Sequence, residues 1–220
     1  MKNMDRRGML GLLGAAPLAG AFVAQAQTPR ASSPAPQVSS RERLRQQRFP
    51  NVLLTTHLGK KVRFYDDLIK DKLVIINFMY AKCDGVCPGI TTNLVRVQKL
   101  LGDRVGRDIF MYSFTLKPEQ DTTQSLAAYA KMHNVQPGWS FLTGAPADME
   151  LLRRKLGFTD LDPVVDADKS SHIGTVRYGN EPRELWGSCP GLAKPKWIAE
   201  TISWVDWPQT KPETGKGEGK

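Results

Sequence analysis

Leu73-Val74-Ile75-Ile76-Asn77-Phe78-Met79, then Tyr80-Ala81-Lys82, then Cys83-Asp84-Gly85-Val86-Cys87-Pro88 is the stretch from which the rest of the chain is read. Its first seven residues are apolar without alternation, which predicts a central strand covered on both faces. Pro88 suits the first position of a helix, which puts Cys87 at the N-cap and Cys83 in the loop before it. Backbone N–H groups and the helix dipole favour a thiolate at that place. The three-residue gap lets both sulfurs converge, either to close a disulfide or to chelate a metal, and the spacing alone does not choose.

Working outward, residues 88–101 carry Ile90, Leu94, Val97 and Leu101 at helical spacing, with Gly102 as a stop. Residues 109–114 read as a second buried strand and 122–133 as a helix with Leu126, Tyr129 and Ala130 on one face. A strand at 139–142 precedes a helix at 146–156 that turns Met149, Leu152 and Leu156 inward. Upstream, residues 52–56 and 61–64 flank Leu58-Gly59-Lys60 as a hairpin, and 65–70 form a helical turn. Residues 159–171, with Asp160, Asp162, Asp166 and Asp168, read as a solvent-facing loop. A terminal hairpin is expected from 173–178 and 183–186, and a last helix at 196–205. This order predicts an α/β three-layer sandwich with a mixed central sheet. With the thiols after the first long strand, the expected arrangement resembles the thioredoxin fold, with hairpin additions at both ends.

The 220 residues, 40% of them hydrophobic, suffice for one well-buried domain plus appended segments. Residues 1–26 read as an export signal: Arg6-Arg7, a weakly apolar run from Gly8 to Val23, and Ala24-Gln25-Ala26 as a cleavage site. The paired arginines and the Gly- and Ala-rich run point to the twin-arginine type, and the run makes a poor membrane span. Residues 27–48, rich in Ser and Pro, read as a linker with a short helix at 41–47. The folded domain is placed at 49–207 and a disordered tail at 208–220. Net charge is +9, much of it in the flanks, which fits solubility or attraction to an acidic partner or membrane surface. No interleaved aromatics or motif point to nucleic acid. A monomer is expected. Three cysteines are too few for a disulfide scaffold, and in an exported protein the redox state of the pair becomes a variable.

His172 follows the acidic segment, where a thioredoxin-like topology returns the chain toward the dithiol helix. Two thiolates and an imidazole suit Cu(I), and with an added oxygen donor they can hold Cu(II). A structural zinc site would want a fourth ligand. His57 and His133 are read as surface residues, Met79 as packing rather than a thioether ligand, and Cys189 as a small buried residue in a turn. The aspartates lack the spacing of a calcium loop.

Four motifs in order resemble the SCO/SenC family of copper-assembly proteins: residues 73–88 around Cys83 and Cys87, residues 113–122 with Pro118-Glu119-Gln120-Asp121-Thr122, residues 139–144, and His172. The resemblance spans about residues 51–205. It implies that Cys83, Cys87 and His172 bind copper. It also implies that the protein helps to metallate the dinuclear copper centre of cytochrome c oxidase, or acts as a thiol reductant on its ligand cysteines. Lys117 stands where the family usually has an aspartate, and Ser171 where an aspartate commonly precedes the histidine. Anionic support for the imidazole is then either missing or supplied by Asp166 or Asp168.

The expectation is a periplasmic copper chaperone for an exported copper enzyme such as cytochrome c oxidase subunit II, or an enzyme with a similar centre. The alternative is a thiol-disulfide oxidoreductase in which Cys83 attacks, Cys87 resolves and His172 assists proton transfer. Peroxide reduction is disfavoured because the Pro-x-x-x-Thr/Ser-x-x-Cys motif is missing.

Overall fold

The computed structural model describes residues 40–169 and 174–206. The proposed signal, most of the linker, His172 and the tail lie outside the described residues. Helix α1 (Ser40–Arg48) leads into the hairpin β1 (Leu53–Thr56) and β2 (Lys61–Arg63), then a π-helical turn (Phe64–Ile69) and β3 (Leu73–Met79). There follow α2 (Cys87–Leu101), β4 (Ile109–Thr115), α3 (Thr123–Met132), β5 (Trp139–Gly144), α4 (Pro146–Lys155) and a short α5 (Pro163–Ala167). The hairpin β6 (Thr175–Asn180) and β7 (Leu185–Pro190) and helix α6 (Pro195–Trp204) complete the order. Among the described residues no helix is long and apolar enough to cross a membrane.

The seven strands form one sheet in the order β2-β1-β5-β4-β3-β6-β7. The central β3, β4 and β5 are parallel, and both hairpins join them antiparallel. All seven residues of β3 are buried, as a doubly covered strand requires. Paired residues share a face, so register separates the two layers. Asn77, Ser113 and Phe141 lie side by side on one face. There Tyr129 of α3 packs edge-on against Phe141 and hydrogen-bonds Thr91 of α2. On the other face Phe78 meets Phe158, just beyond α4, and Phe114 meets Phe64 of the π-helical turn. The mixed three-layer sandwich expected from the sequence is the architecture found.

Two readings of the flanks need correction. The folded region begins before residue 49, because α1 docks on the sheet: Arg45 pairs with the buried Glu181 at 3.1 Å, and Arg48 lies over Phe49 and Trp186. Nor is the segment after residue 159 simply a solvated loop. It contains α5, capped by the Asp162 side chain accepting from the Val164 N–H. Its Asp166 accepts from the buried Arg153 guanidinium at 2.5 and 2.7 Å and from the Asp160 N–H. The composition was polar enough for a loop, but one buried cation organises it.

A single buried carboxyl joins the ends of β3 and β4. Asp121 accepts from the Ala81 N–H at 3.1 Å and from the Thr115 hydroxyl at 2.5 Å, while Thr122 caps α3 by accepting from Ser125 N–H. Removing it strands the buried Thr115 hydroxyl and the part-buried Ala81 N–H. Asp121→Ala is expected to cost about 2–3 kcal/mol, read as a lower urea midpoint, and Asp121→Asn, which keeps one acceptor, to cost less.

Candidate metal and dithiol centre

Met79 ends β3 fully buried, with its carbonyl accepting from the Leu116 N–H, so it packs as expected. The Asp121 bond to Ala81 then holds the turn that leads to Cys83. Val86 already has helical φ and ψ of −78° and −19°, and its carbonyl accepts from the Ile90 N–H. The helix thus starts one residue earlier than expected, with Val86 at the cap position, Cys87 as its first residue and Pro88 second. The displacement is small, and both thiols still meet at the helix start.

Cys83, Cys87 and Cys189 are all thiols, with no disulfide among them, and all three are buried. Cover over the pair is thin, since Asp84, Gly85 and Val86 between the cysteines are exposed. A hydrogen bond links the side chains of Cys83 and Cys87. Burial alone would raise the Cys83 pKa, but hydrogen bonds from the Cys87 thiol, the Tyr80 hydroxyl and the N–H groups of Cys87 and Gly85 hold it below the usual value. Cys87 goes the other way: burial, then its donation to Cys83, push it up to about 12. Within the pair, Cys83 is the thiol eased toward its thiolate and Cys87 the one held protonated.

Tyr80 was not singled out in the sequence. Its hydroxyl donates to the Cys83 sulfur and, by that bond and by burial, its own pKa is pushed up to about 12. Lys117, at the position where an aspartate was expected, places its ammonium 4.0 Å from the centre of the Tyr80 ring. A cation over the ring face is favourable and secures the phenol beside the thiols. The signal for Tyr80 was its place just after the strand, three residues before Cys83; only the tertiary structure shows that its hydroxyl turns toward the sulfur.

His172 lies outside the described residues. The chain is held on either side of it. Lys169 donates to Glu150 of α4 at 3.0 Å, and beyond the gap the Gly174 carbonyl accepts from the Gly191 N–H at 2.7 Å. Gly174 sits against the first turn of α2: a methyl placed on it would come 3.1 Å from Ile90 Cδ1 and 3.9 Å from Val86 Cγ2. Asp166 is committed to Arg153, which holds its carboxyl well below the ordinary range, so it is not available to orient an imidazole. Among the described residues no group of three His, Cys, Asp or Glu side chains is placed to hold a metal.

The other expected bystanders fall elsewhere. His57, expected at the surface, is half-buried and accepts the Phe141 N–H on Nδ1, and burial lowers its pKa. His133, also half-buried, packs on Tyr129 and its pKa is lowered by burial. Cys189 is buried in β7, not in a turn, with burial raising its pKa to about 11 and the Thr201 hydroxyl of α6 opposing the shift. None of these belongs to the dithiol centre.

A thioredoxin-like sheet whose central strand leads into a dithiol at a helix start defines the class. Residues 44–203 match the family model SCO1/SenC, and the chain belongs to that family. It is 29% identical over 87 residues to the SCO1 protein homolog of Bacillus subtilis (strain 168), a match covering 39% of this chain and 44% of that relative, less than half its length. The fold is shared with Bradyrhizobium japonicum ScoI, solved with copper bound, at a TM-score of 0.56 and 21% identity over 70% of this chain and 96% of that one. It is shared also with BsSco, described as a member of the Sco family of cytochrome c oxidase assembly proteins with a disulfide switch. There the TM-score is 0.58 and the identity 19%, over 72% of this chain and 92% of that one.

The split between the thiols is measurable. Iodoacetamide is expected to modify Cys83 ahead of Cys87 and Cys189, its rate rising with pH through a pKa below that of an ordinary thiol. Tyr80→Phe removes one of the bonds that hold this pKa down, so the rate profile of Cys83 should move to higher pH; an unmoved profile would mean that the phenol does not stabilise the thiolate.

Proposed function

We propose that this protein carries copper as cargo on Cys83 and Cys87, with His172 as a third ligand, and passes it to an exported copper enzyme. The observation that carries the reading is the convergence of two thiol sulfurs at the start of α2 under thin cover. Such soft donors suit Cu(I), and a third ligand from imidazole extends the set to Cu(II). A site with few ligands near the surface lets an acceptor's ligands replace the donor's one at a time.

Several points support the finer parts of the proposal. His172 is two residues from Gly174, a reach of at most about 7 Å of extended chain, and Gly174 abuts Val86 and Ile90. Membership of the SCO1/SenC family, with copper bound in Bradyrhizobium japonicum ScoI, supports copper as the cargo. The description of BsSco as belonging to oxidase-assembly proteins supports cytochrome c oxidase, through its subunit II, as the recipient. The Arg6-Arg7 segment supports delivery in the periplasm. Because both thiols lose their protons on binding, copper affinity should rise with pH.

A second reading is favoured by the unequal thiols. The Cys83 thiolate attacks a disulfide of the target, whose leaving sulfur departs as a thiolate and takes up a proton. Cys87 then loses its proton and attacks Cys83, releasing the second target thiol. The target gains two electrons, and a Cys83–Cys87 disulfide remains. This chemistry would keep the recipient's copper-ligand cysteines reduced.

An anaerobic Cu(I) competition titration of reduced protein separates the two. Carriage predicts one tight equivalent, lost in Cys83→Ser and Cys87→Ser and weakened roughly tenfold or more in His172→Ala. Weak binding in the parent protein, with ready formation of a Cys83–Cys87 disulfide, would reject carriage in favour of thiol exchange.

A further inference from the structure

A cavity lies on the face of the sheet opposite α2, among α1, the end of α4 and the β6–β7 hairpin. Ile76 and Arg177 pair across β3 and β6 and share that face, as do Gly179 and Trp186 one step along the hairpin. The cavity has an inner chamber of about 90 Å³ and an outer groove of about 970 Å³, and Arg48, Phe49, Lys155 and Trp186 line both.

Three cations converge on the inner chamber: Arg48, Lys155 and Arg177. No carboxylate lines it among the described residues, and none of the three forms an ion pair with one. Arg177 donates from Nη2 to the Gly157 carbonyl at 3.0 Å and lies over the Phe158 ring, but its Nε is buried without a hydrogen-bond partner. Gly157 has a φ of +69°, and a methyl there would meet Nη2 at 2.5 Å, so the missing side chain is what admits the guanidinium. Burial and then repulsion from Arg48 lower the Arg177 pKa, as for a cation without compensation.

The mouth is aromatic. Trp186 lies flat on Gly179, where a methyl would meet the indole at 2.2 Å, and its ring centre is 5.0 Å from that of Phe49. Arg48 sits over both rings, at 5.3 and 5.5 Å from their centres. The acids of the outer groove are spoken for. Glu181 accepts from Arg45, the Tyr65 hydroxyl and the Asp71 N–H, and Glu184 stands 3.9 Å from Arg45.

Holding the half-buried Arg177 guanidinium beside the exposed Arg48 and Lys155 without a counter-ion costs stability, and the cost is recovered when an anion arrives. Arginine forks suit phosphate and carboxylate, and the chamber has room for one such group. We propose that this cavity binds an organic anion: a phosphate monoester or carboxylate among Arg48, Lys155 and Arg177, on a flat apolar body lying against Phe49 and Trp186. The site is separate from the dithiol centre, which lies on the other face with α2, and does not depend on the copper reading.

Isothermal titration of the full chain with phenyl phosphate, benzoate, inorganic phosphate and phenol tests this. At least one of the two aromatic anions should bind saturably, more tightly than inorganic phosphate, and phenol should not bind. Lys155→Glu, at an exposed position that leaves packing intact, and Arg177→Met should each weaken that anion about tenfold or more, and added salt should weaken it too. The proposal is overturned if neither aromatic anion saturates the protein, if phenol binds as well as they do, or if folded Lys155→Glu binds like the parent.

Discussion

The structure depends on a buried carboxyl at the ends of two neighbouring strands. Asp121 gathers the Ala81 N–H, after β3, and the Thr115 hydroxyl, at the end of β4, on a single side chain. Both strands are buried and parallel, so their C-terminal ends lie together and their chains must leave through the same layer. Without an acceptor there, the buried Thr115 hydroxyl and the part-buried Ala81 N–H would lose their partner, and the turn that carries Cys83 to the start of α2 would have no fixed exit. Both cysteines of the dithiol centre lie downstream of that exit.

From this placement the chemistry of the two cysteines diverges. Cys83 collects donors: a thiol, a phenol and two backbone N–H groups. Cys87 is deeper and gives its proton toward Cys83, so burial dominates it. A pair in which one thiol is eased toward its thiolate and the other is held protonated can start thiol exchange, and both sulfurs can also give up their protons to a soft cation. The same geometry serves either reading, which is why carriage and reduction are separated by measuring binding and not by inspecting the thiols.

The two faces of the sheet carry different chemistry. One, with α2 and α3, holds the thiols and a hydrogen-bonded stack from Asn77 through Ser113 to the Trp139 indole. The other is closed around Phe78, Phe114 and Phe158 but leaves three cations facing a chamber beside Trp186. Arg153, also on α4, shows the contrast: its guanidinium is fully met by Glu150, Asp166 and the Phe158 carbonyl, whereas Arg177 retains an unpaired Nε.

Much of the fold was legible because burial writes a period into the chain. The unbroken apolar run of β3, the helical spacing of Ile90, Leu94 and Val97, and the two short runs around Leu58-Gly59-Lys60 each predicted the element that forms. The cysteines were legible for a local reason too, since strand, loop and proline are contiguous. What stayed hidden was long-range. The docking of α1 rests on Arg45 reaching Glu181, the order after residue 159 on Arg153 reaching Asp166, and the lowered pKa of Cys83 in part on the direction of one phenol. The sequence by itself determined the elements, their order and the position of the dithiol, because these follow from neighbouring residues. Only the tertiary structure decided which charges are paired and which thiol has its pKa lowered and which raised, because those depend on distances between residues far apart in the chain.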